Sequence, residues 1–230
     1  MPAGSGPVLS RQASRCAHER RCLPHYPCGD DALRILCGAG DIRYQIAHRL
    51  GSCDAWPEII PGKSDLTVAF DPHMETMAAA TDRVREALLA GVGGSTHVPR
   101  RIELEARFGG GEGPDLAAMA ERLGESETRL IEAIEASRLQ VDMLGFTPGF
   151  AYLAGLGPAL ISERLRHPRA RVAAGSIGLI TGQIGLYALD GPGGWPIIGR
   201  VTTSLFNRLD ADPFLLRPGD EVVILRSAAV

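Results

Sequence analysis

Apolar residues in the first part of the chain come in short bursts whose spacing alternates between strand and helix periods. Ala32–Cys37 (Ala-Leu-Arg-Ile-Leu-Cys) reads as a short strand, ended by Gly38-Ala39-Gly40. Asp41 is placed to cap a helix over about 42–50, with Ile42, Ile46 and Leu50 on one face. Glu58–Pro61 and Leu66–Phe70 bracket a turn at Gly62-Lys63-Ser64; the second run alternates as a half-buried strand does, and Asp71-Pro72 stops it. A helix over roughly 74–90 follows, with Met74, Met77, Val84, Leu88 and Leu89 as its apolar positions. The order β-α-β-β-α predicts a small α+β sandwich of the ferredoxin-like sort.

Gly91–Val98 breaks both periods and is the best domain boundary that composition offers. Beyond it, Arg101–Phe108 reads as a strand leading into Gly109–Gly113. Pro114 and Asp115 suit a first helical turn, Leu116, Met119 and Leu123 face inward, and Gly124 closes the helix. Ser126 caps a second helix carrying Leu130, Ile131 and Ile134. After Val141 the apolar runs become short and are split by Gly and Pro: Val172, Ile177–Ile180, Leu186–Leu189, Ile197–Val201 and Glu221–Leu225. That rhythm predicts a β-barrel or sandwich preceded by two helices.

Composition narrows the function classes. A net charge of −3 with no over-supplied basic face argues against a nucleic-acid partner. Lys63 is the only lysine among the 24 basic residues, a bias we attribute to genome composition. No apolar run approaches a membrane span, and residues 1–20 lack the apolar core of a signal peptide. They read as a disordered tail, and the chain as cytoplasmic. All five cysteines (Cys16, Cys22, Cys28, Cys37, Cys53) lie early, near His18 and His25. Their spacings lack the paired hooks of structural zinc sites, and an odd count suits a disulfide framework poorly. No metal site is expected, and the thiols should be reduced.

The candidate chemistry lies in two blocks, Gly145–Leu156 (Gly-Phe-Thr-Pro-Gly-Phe-Ala-Tyr-Leu-Ala-Gly-Leu) and Gly191–Arg200 (Gly-Pro-Gly-Gly-Trp-Pro-Ile-Ile-Gly-Arg). Neither follows a helix or strand period, so both are expected as shaped loops, either tight corners of a β-rich domain or, given two such blocks, the walls of a built site. Glycine permits close backbone approach and proline fixes φ near about −65°, while the aromatics supply contact surface. Trp195 fits a stacking platform or a core plug equally well. Gly109–Gly113 could hold an anion on its amides or be a plain strand-to-helix turn. Arg169 and Arg200 flank glycine/proline segments and offer forks for carboxylate or phosphate. Ser176 and Gln183 are polar side chains set among glycines.

The blocks occur in a recognisable order: Gly109-Gly-Gly-Glu-Gly-Pro-Asp-Leu116, Leu144-Gly-Phe-Thr-Pro-Gly-Phe-Ala-Tyr-Leu153, Pro168-Arg169, Ala174-Gly-Ser176, Gly182-Gln-Ile-Gly-Leu-Tyr187, Gly191-Pro-Gly-Gly-Trp195, Ile198-Gly-Arg200 and Leu215-Leu-Arg-Pro-Gly-Asp-Glu-Val222. In this order they resemble the KipI/PxpB family (the B component of 5-oxoprolinase, allophanate hydrolase subunit 1), over about residues 21–228. The resemblance implies a ferredoxin-like domain over 21–92 and a cyclophilin-like β-barrel domain over 98–230, after a tail over 1–20, and it sets the two blocks as facing walls of one cleft. It implies a subunit of an ATP-dependent amide or lactam hydrolase that opens 5-oxoproline to glutamate and is inactive alone. The implied partners are a KipA/PxpC-type and a LamB/YcsF-type subunit, with ATP and magnesium used by the complex rather than bound by this chain. Two other activities occur among relatives, inhibition of a sensor histidine kinase and the carboxyltransferase half of urea carboxylase. An apolar groove without convergent polar groups would favour the inhibitor.

On this reading Arg169, Gln183 and Arg200 are the candidate catalytic side chains. Gly145, Phe146, Pro148, Gly149, Phe150, Tyr152, Ser176, Tyr187, Pro192, Gly193, Gly194 and Trp195 are expected to hold the small amide substrate. Three departures from the family pattern stand out. Ile134 and Leu139 occupy the places of a histidine and a tyrosine, Glu163-Arg164 replaces a Pro-Arg pair, and Ala188 replaces a proline. Loss of a histidine removes a candidate acid or base.

Overall fold

The computed structural model describes residues 23–38, 40, 42–53, 56–89, 98–157 and 160–227. The tail over 1–20, Cys16, His18, Cys22, the Asp41 cap and the glycine-rich stretch 91–97 lie outside the described residues. Cys28, Cys37 and Cys53 are free thiols. Two compact units divide the chain, Met1–Thr96 and His97–Val230.

The first unit contains β1 (His25–Pro27), β2 (Ala32–Leu36), α1 (Ile42–Cys53), β3 (Glu58–Pro61), β4 (Asp65–Ala69) and α2 (Met77–Leu89). The strands form one antiparallel sheet in the order β1-β2-β4-β3, with Leu33 opposite Val68 and Ile59 opposite Val68 on the other side. Leu33, Ile35, Leu66 and Val68 share a core with Ile46 and Leu50 of α1 and Val84 and Leu88 of α2. Burying each such side chain is worth about 1.5–3 kcal/mol. The α+β character follows the apolar pattern, but three details differ. The edge strand β1 has no apolar signature. Helix α1 runs on through Gly51 to Cys53. Helix α2 starts at Met77, because the Thr76 hydroxyl accepts from the Ala79 amide at 3.2 Å and sets the cap there. Met74 is therefore outside the helix and 83% exposed, and Leu89 is exposed as well.

The second unit begins with β5 (Arg101–Phe108), α3 (Leu116–Leu123) and α4 (Glu127–Glu135). It continues through β6 (Leu139–Leu144), β7 (Ala151–Ala154), β8 (Arg169–Val172), β9 (Ser176–Ile180), β10 (Gln183–Leu186), β11 (Gly191–Gly193), β12 (Ile197–Val201) and β13 (Glu221–Arg226). Seven strands close a barrel in the order β10-β7-β6-β13-β5-β12-β9. The last strand, β13, lies parallel to β5 and antiparallel to β6, so the end of the chain completes the wall. Alternation directs Leu104, Ala106, Val222, Ile224, Leu153, Ile177, Leu179, Ile184 and Leu186 inward, where they meet Met119, Leu130 and Ile134 from the helices. Ser126 caps α4 as its sequence position suggests, accepting from the Arg129 amide at 3.2 Å. The junction before β13 is held by Asp220, which is 0% exposed. Its carboxylate accepts from the Arg100 amide at 3.1 Å, the Arg100 guanidinium at 2.5 Å and the Arg217 amide at 2.9 Å.

Two expectations are corrected here. The block 145–156 is not all loop, because Ala151–Ala154 is a barrel strand with Ala151 and Leu153 in the core and Tyr152 pointing out. The strand expected over Leu186–Leu189 is instead Gln183–Leu186. The turn at Thr181-Gly182 sets Gln183 opposite Ile180, so the ladder ends before Tyr187, and Leu189 is left exposed. Outside the barrel, β8 and β11 form a two-stranded ribbon with a bulge between Gly191 and Gly193.

Candidate functional site

The outward faces of β7, β9 and β10 lie beneath the candidate site. Gly178 and Gly185 are direct cross-strand partners there. A Cβ on Gly185 would lie 2.7 Å from Phe150 Cζ and 2.8 Å from Trp195 Cζ3, and one on Gly178 would lie 3.0 Å from Trp195 Cβ. The paired glycines thus leave a bare patch of sheet on which the rings of Phe150 and Trp195 lie. Phe150 meets Tyr187 edge-on at 4.9 Å and Trp195 at 6.1 Å, while Tyr152 stands 5.8 Å from Trp195. These edge-to-face arrangements are the favoured geometry of aromatic pairs. Phe150, Val172, Tyr187 and Ile197 form a small apolar cluster of their own outside the barrel core.

The loop before β7 supplies the rim. It is closed by bonds from the Thr147 amide to Gly145 O (2.9 Å), the Phe150 amide to Thr147 O (3.0 Å) and the Gly145 amide to Phe150 O (3.1 Å). Phe146 has φ +70°, the only positive value at a non-glycine residue among those described, and its ring is 62% exposed at 5.4 Å from Phe150. Such a backbone costs about 1–3 kcal/mol and accumulates at sites of function. The segment around 165 is tied to the second block by the Leu165 amide, which donates to Gly194 O at 2.8 Å.

Between these parts lies a cleft of about 250 Å³, lined by Phe146, Phe150, Tyr152, Arg164, Leu165, Pro168, Tyr187, Pro192, Gly193, Gly194 and Trp195. The two sequence blocks do face each other across it. Burial pushes the phenols of Tyr152 and Tyr187 above the ordinary tyrosine value. Smaller opposing influences are the Arg164 charge on both and, on Tyr187, a hydrogen bond from the Trp195 backbone. Both phenols are neutral donors at ordinary pH.

The expected substrate-binding residues separate into two groups. Phe146, Phe150, Tyr152, Tyr187, Pro192, Gly193, Gly194 and Trp195 line the cleft; Gly145, Pro148, Gly149 and Ser176 do not. Ser176 is buried, and its carbonyl accepts from the Tyr187 amide at 3.0 Å.

None of the three expected catalytic side chains lines the cleft. Arg169 is clamped by Asp115 through two 2.8 Å bonds, and the same carboxylate accepts from the Ile197 amide at 2.6 Å. Arg200 donates to Ala174 O at 2.8 Å and to Glu112 at 3.3 Å. Gln183 shares the outward face of β10 with Gly185 but sits at the hairpin end. Asp115 therefore ties β8 to β12 rather than capping α3 with its side chain. Gly109–Gly113 is a strand-to-helix turn pinned at both ends: Gly109 donates to Ile198 O, Gly113 donates to Gly109 O, and a Cβ on Gly113 would lie 2.0 Å from Ile198 O.

Sequence reasoning misses Arg164, Leu165 and Pro168 as cleft residues. Arg164 sits in the polar run Glu163–His167, and only its departure from the family's Pro-Arg pair singles it out. Ile134, Leu139 and Ala188, the other departures, lie in the barrel core at 0%, 1% and 6% exposure. They are not cleft residues. Among the described residues no three His, Cys, Asp or Glu side chains come together, and no helix is long and apolar enough to cross a membrane.

Residues 26–216 match the family model of the carboxyltransferase domain, subdomain C and D. The chain is 37% identical over 185 residues to the B component of 5-oxoprolinase from Escherichia coli O157:H7, covering 78% of this chain and 82% of that one. It is 34% identical over 179 residues to the Bacillus subtilis protein of the same name, covering 74% and 75%. Among solved structures, TTHA0988 superposes with a TM-score of 0.73 at 30% identity, over 87% of this chain but only 40% of that one. Urea carboxylase of Kluyveromyces lactis superposes with a TM-score of 0.69 at 16% identity, over 89% of this chain and 22% of that one. At that identity the likeness is one of fold.

Proposed function

The chain belongs to the carboxyltransferase C/D-domain family that includes the B component of 5-oxoprolinase, and from that premise we propose that it is the B-type subunit of an ATP-dependent lactam hydrolase converting 5-oxoproline to glutamate. The observation that carries the reading is the identity of 34–37% to proteins of that name over about three quarters of the chain. The cleft supports it independently. At about 250 Å³ it lies below the range of roughly 300–1,000 Å³ typical of drug-sized ligands, and it suits a single small ring. The name of these relatives speaks for a multi-subunit assembly. We assign the partners as a KipA/PxpC-type and a LamB/YcsF-type subunit, with the chain cytoplasmic and inactive alone. In fold terms we read the first unit as ferredoxin-like, supported by the sheet order β1-β2-β4-β3 beneath two helices, and the barrel as cyclophilin-like.

ATP does not fit this cleft. The cleft is too small for a nucleotide, and the amides of Gly109 and Gly113 in the glycine-rich turn are already used. Nucleotide chemistry is therefore assigned to the complex. This chain's own groups can bind and orient a small substrate and exclude water from one face of it. The polar groups converging on the cleft, Arg164, Tyr152 and Tyr187, speak against a purely apolar docking groove of the kinase-inhibitor kind. The test is co-expression with both partner types and an assay of 5-oxoproline-dependent ATP hydrolysis with glutamate release. Absence of turnover with all three subunits present rejects the reading.

A further inference from the structure

The charges around the cleft are unevenly compensated. Arg169 is paired with Asp115, Arg171 with Asp190 and Arg200 with Glu112. Arg164, on the cleft wall, has no carboxylate partner among the described residues, and no acidic side chain lines the cleft with it. Its guanidinium lies 6.0 Å from the Trp195 ring, within reach of a cation–π attraction to another cleft residue. A protein of net charge −3 thus leaves one fork of positive charge facing a pocket otherwise made of rings and backbone.

The phenols point to the same chemistry. Burial holds the Tyr187 phenol above the ordinary tyrosine value, so it carries a proton to give. Neither Tyr187 nor Tyr152 donates to a protein acceptor among the described residues, although both line the cleft with Arg164. Three donors with no protein acceptor among the described residues, one of them charged, line a space walled on its other sides by Phe150 and Trp195, whose rings lie on the Gly178–Gly185 patch. A guanidinium fork beside neutral O–H donors is the arrangement that recognises a carboxylate, while the flat aromatic wall takes a planar ring.

Resting on the functional reading above, we propose that this cleft is the carboxylate-recognition pocket for a small cyclic acid, with Arg164 binding the carboxylate, Tyr152 and Tyr187 donating to it, and the ring lying against Trp195. Selectivity then comes from the acid group. A lactam without a carboxylate leaves Arg164 and two phenols unsatisfied and is discriminated against.

The experiment is equilibrium binding to the full chain, followed by Trp195 emission in a Trp56→Phe background, since the protein has two tryptophans. The probes are 5-oxoproline, cyclopentanecarboxylate and 2-pyrrolidinone. Both acids are expected to saturate and the uncharged lactam is not. Arg164→Gln should weaken the acids by about tenfold to a hundredfold without moving the melting temperature. Arg164→Lys, which keeps the charge but loses the fork, should fall between the two. Acids bound regardless of the lactam group, together with no turnover in the three-subunit assay, sink the 5-oxoprolinase reading and leave the carboxylate pocket standing. Equal binding of 2-pyrrolidinone and 5-oxoproline, full affinity in Arg164→Gln, or no saturation by either acid overturns the proposal.

Discussion

Gly185→Ala tests the glycine floor with one methyl group. The new Cβ would stand 2.7 Å from Phe150 Cζ and 2.8 and 3.0 Å from Trp195 Cζ3 and Cε3, where carbon contacts settle at about 3.5–4.0 Å. Two buried rings must each move by roughly 0.5–1 Å, and overpacking of this kind costs about 1–3 kcal/mol. Against that, replacing glycine in a strand gains about 0.5–1 kcal/mol of backbone entropy. Overpacking wins, leaving a net loss of about 1–2 kcal/mol, or a fall in barrel melting temperature of roughly 3–6 °C. Trp195 reports the barrel in a Trp56→Phe background, and its emission should shift as the indole is displaced. Gly191→Ala is the matched control, because nothing lies within 4 Å of its Cβ. It should be neutral or slightly stabilising. An unchanged or higher midpoint for Gly185→Ala, with unchanged Trp195 emission, would refute the reasoning.

Asp220→Ala leaves the Arg100 and Arg217 amides and the Arg100 guanidinium without their buried acceptor, and should cost about 3–5 kcal/mol by urea denaturation. Asp115→Ala removes the Arg169 fork and the Ile197 amide's acceptor, for a loss of about 2–3 kcal/mol; a double-mutant cycle with Arg169→Ala should show a coupling of about 1–2 kcal/mol. The raised Tyr152 and Tyr187 values mean that the folded state keeps these protons after the unfolded chain releases them near about pH 10. Their stabilisation is complete below about pH 10 and is lost as pH rises through the folded values. Phenolate absorbance should show two late-titrating tyrosines, and Tyr152→Phe and Tyr187→Phe should each remove part of the alkaline stability slope. Ile134→His puts an imidazole where the barrel core offers an apolar site, and calorimetry should show a loss of about 2–4 kcal/mol.

Strands such as Arg101–Phe108 and Asp65–Ala69 are legible because alternation is a local property, and the Gly/Phe and Gly/Trp blocks mark the cleft because close ring-to-backbone packing calls for that composition. What escapes is non-local. Arg169 and Arg200 look like free forks in the sequence, yet their neutralising partners Asp115 and Glu112 lie 54 and 88 residues away and are brought near only by barrel closure. Arg164 escapes for the converse reason. An unpaired arginine in a polar run has no periodicity, and its meaning depends on which neighbours are absent. Strand β7 hides inside a Gly/Pro block because four residues are too few to establish a period against flanking glycines.

The departures from the family pattern acquire a different meaning once placed in the fold. A histidine missing from a cleft would argue for altered chemistry, but Ile134 is on α4 and Leu139 begins β6, both inside the core shared by helices and barrel. A buried polar group must be satisfied by a partner, and a core can exchange such groups for apolar ones of similar volume without loss, sometimes with gain. Replacing two polar positions with Ile and Leu is therefore a change in how the barrel is held together. The departure that bears on function is Glu163-Arg164. It retains the arginine, and that arginine is the one cation on the cleft wall left without a carboxylate partner among the described residues.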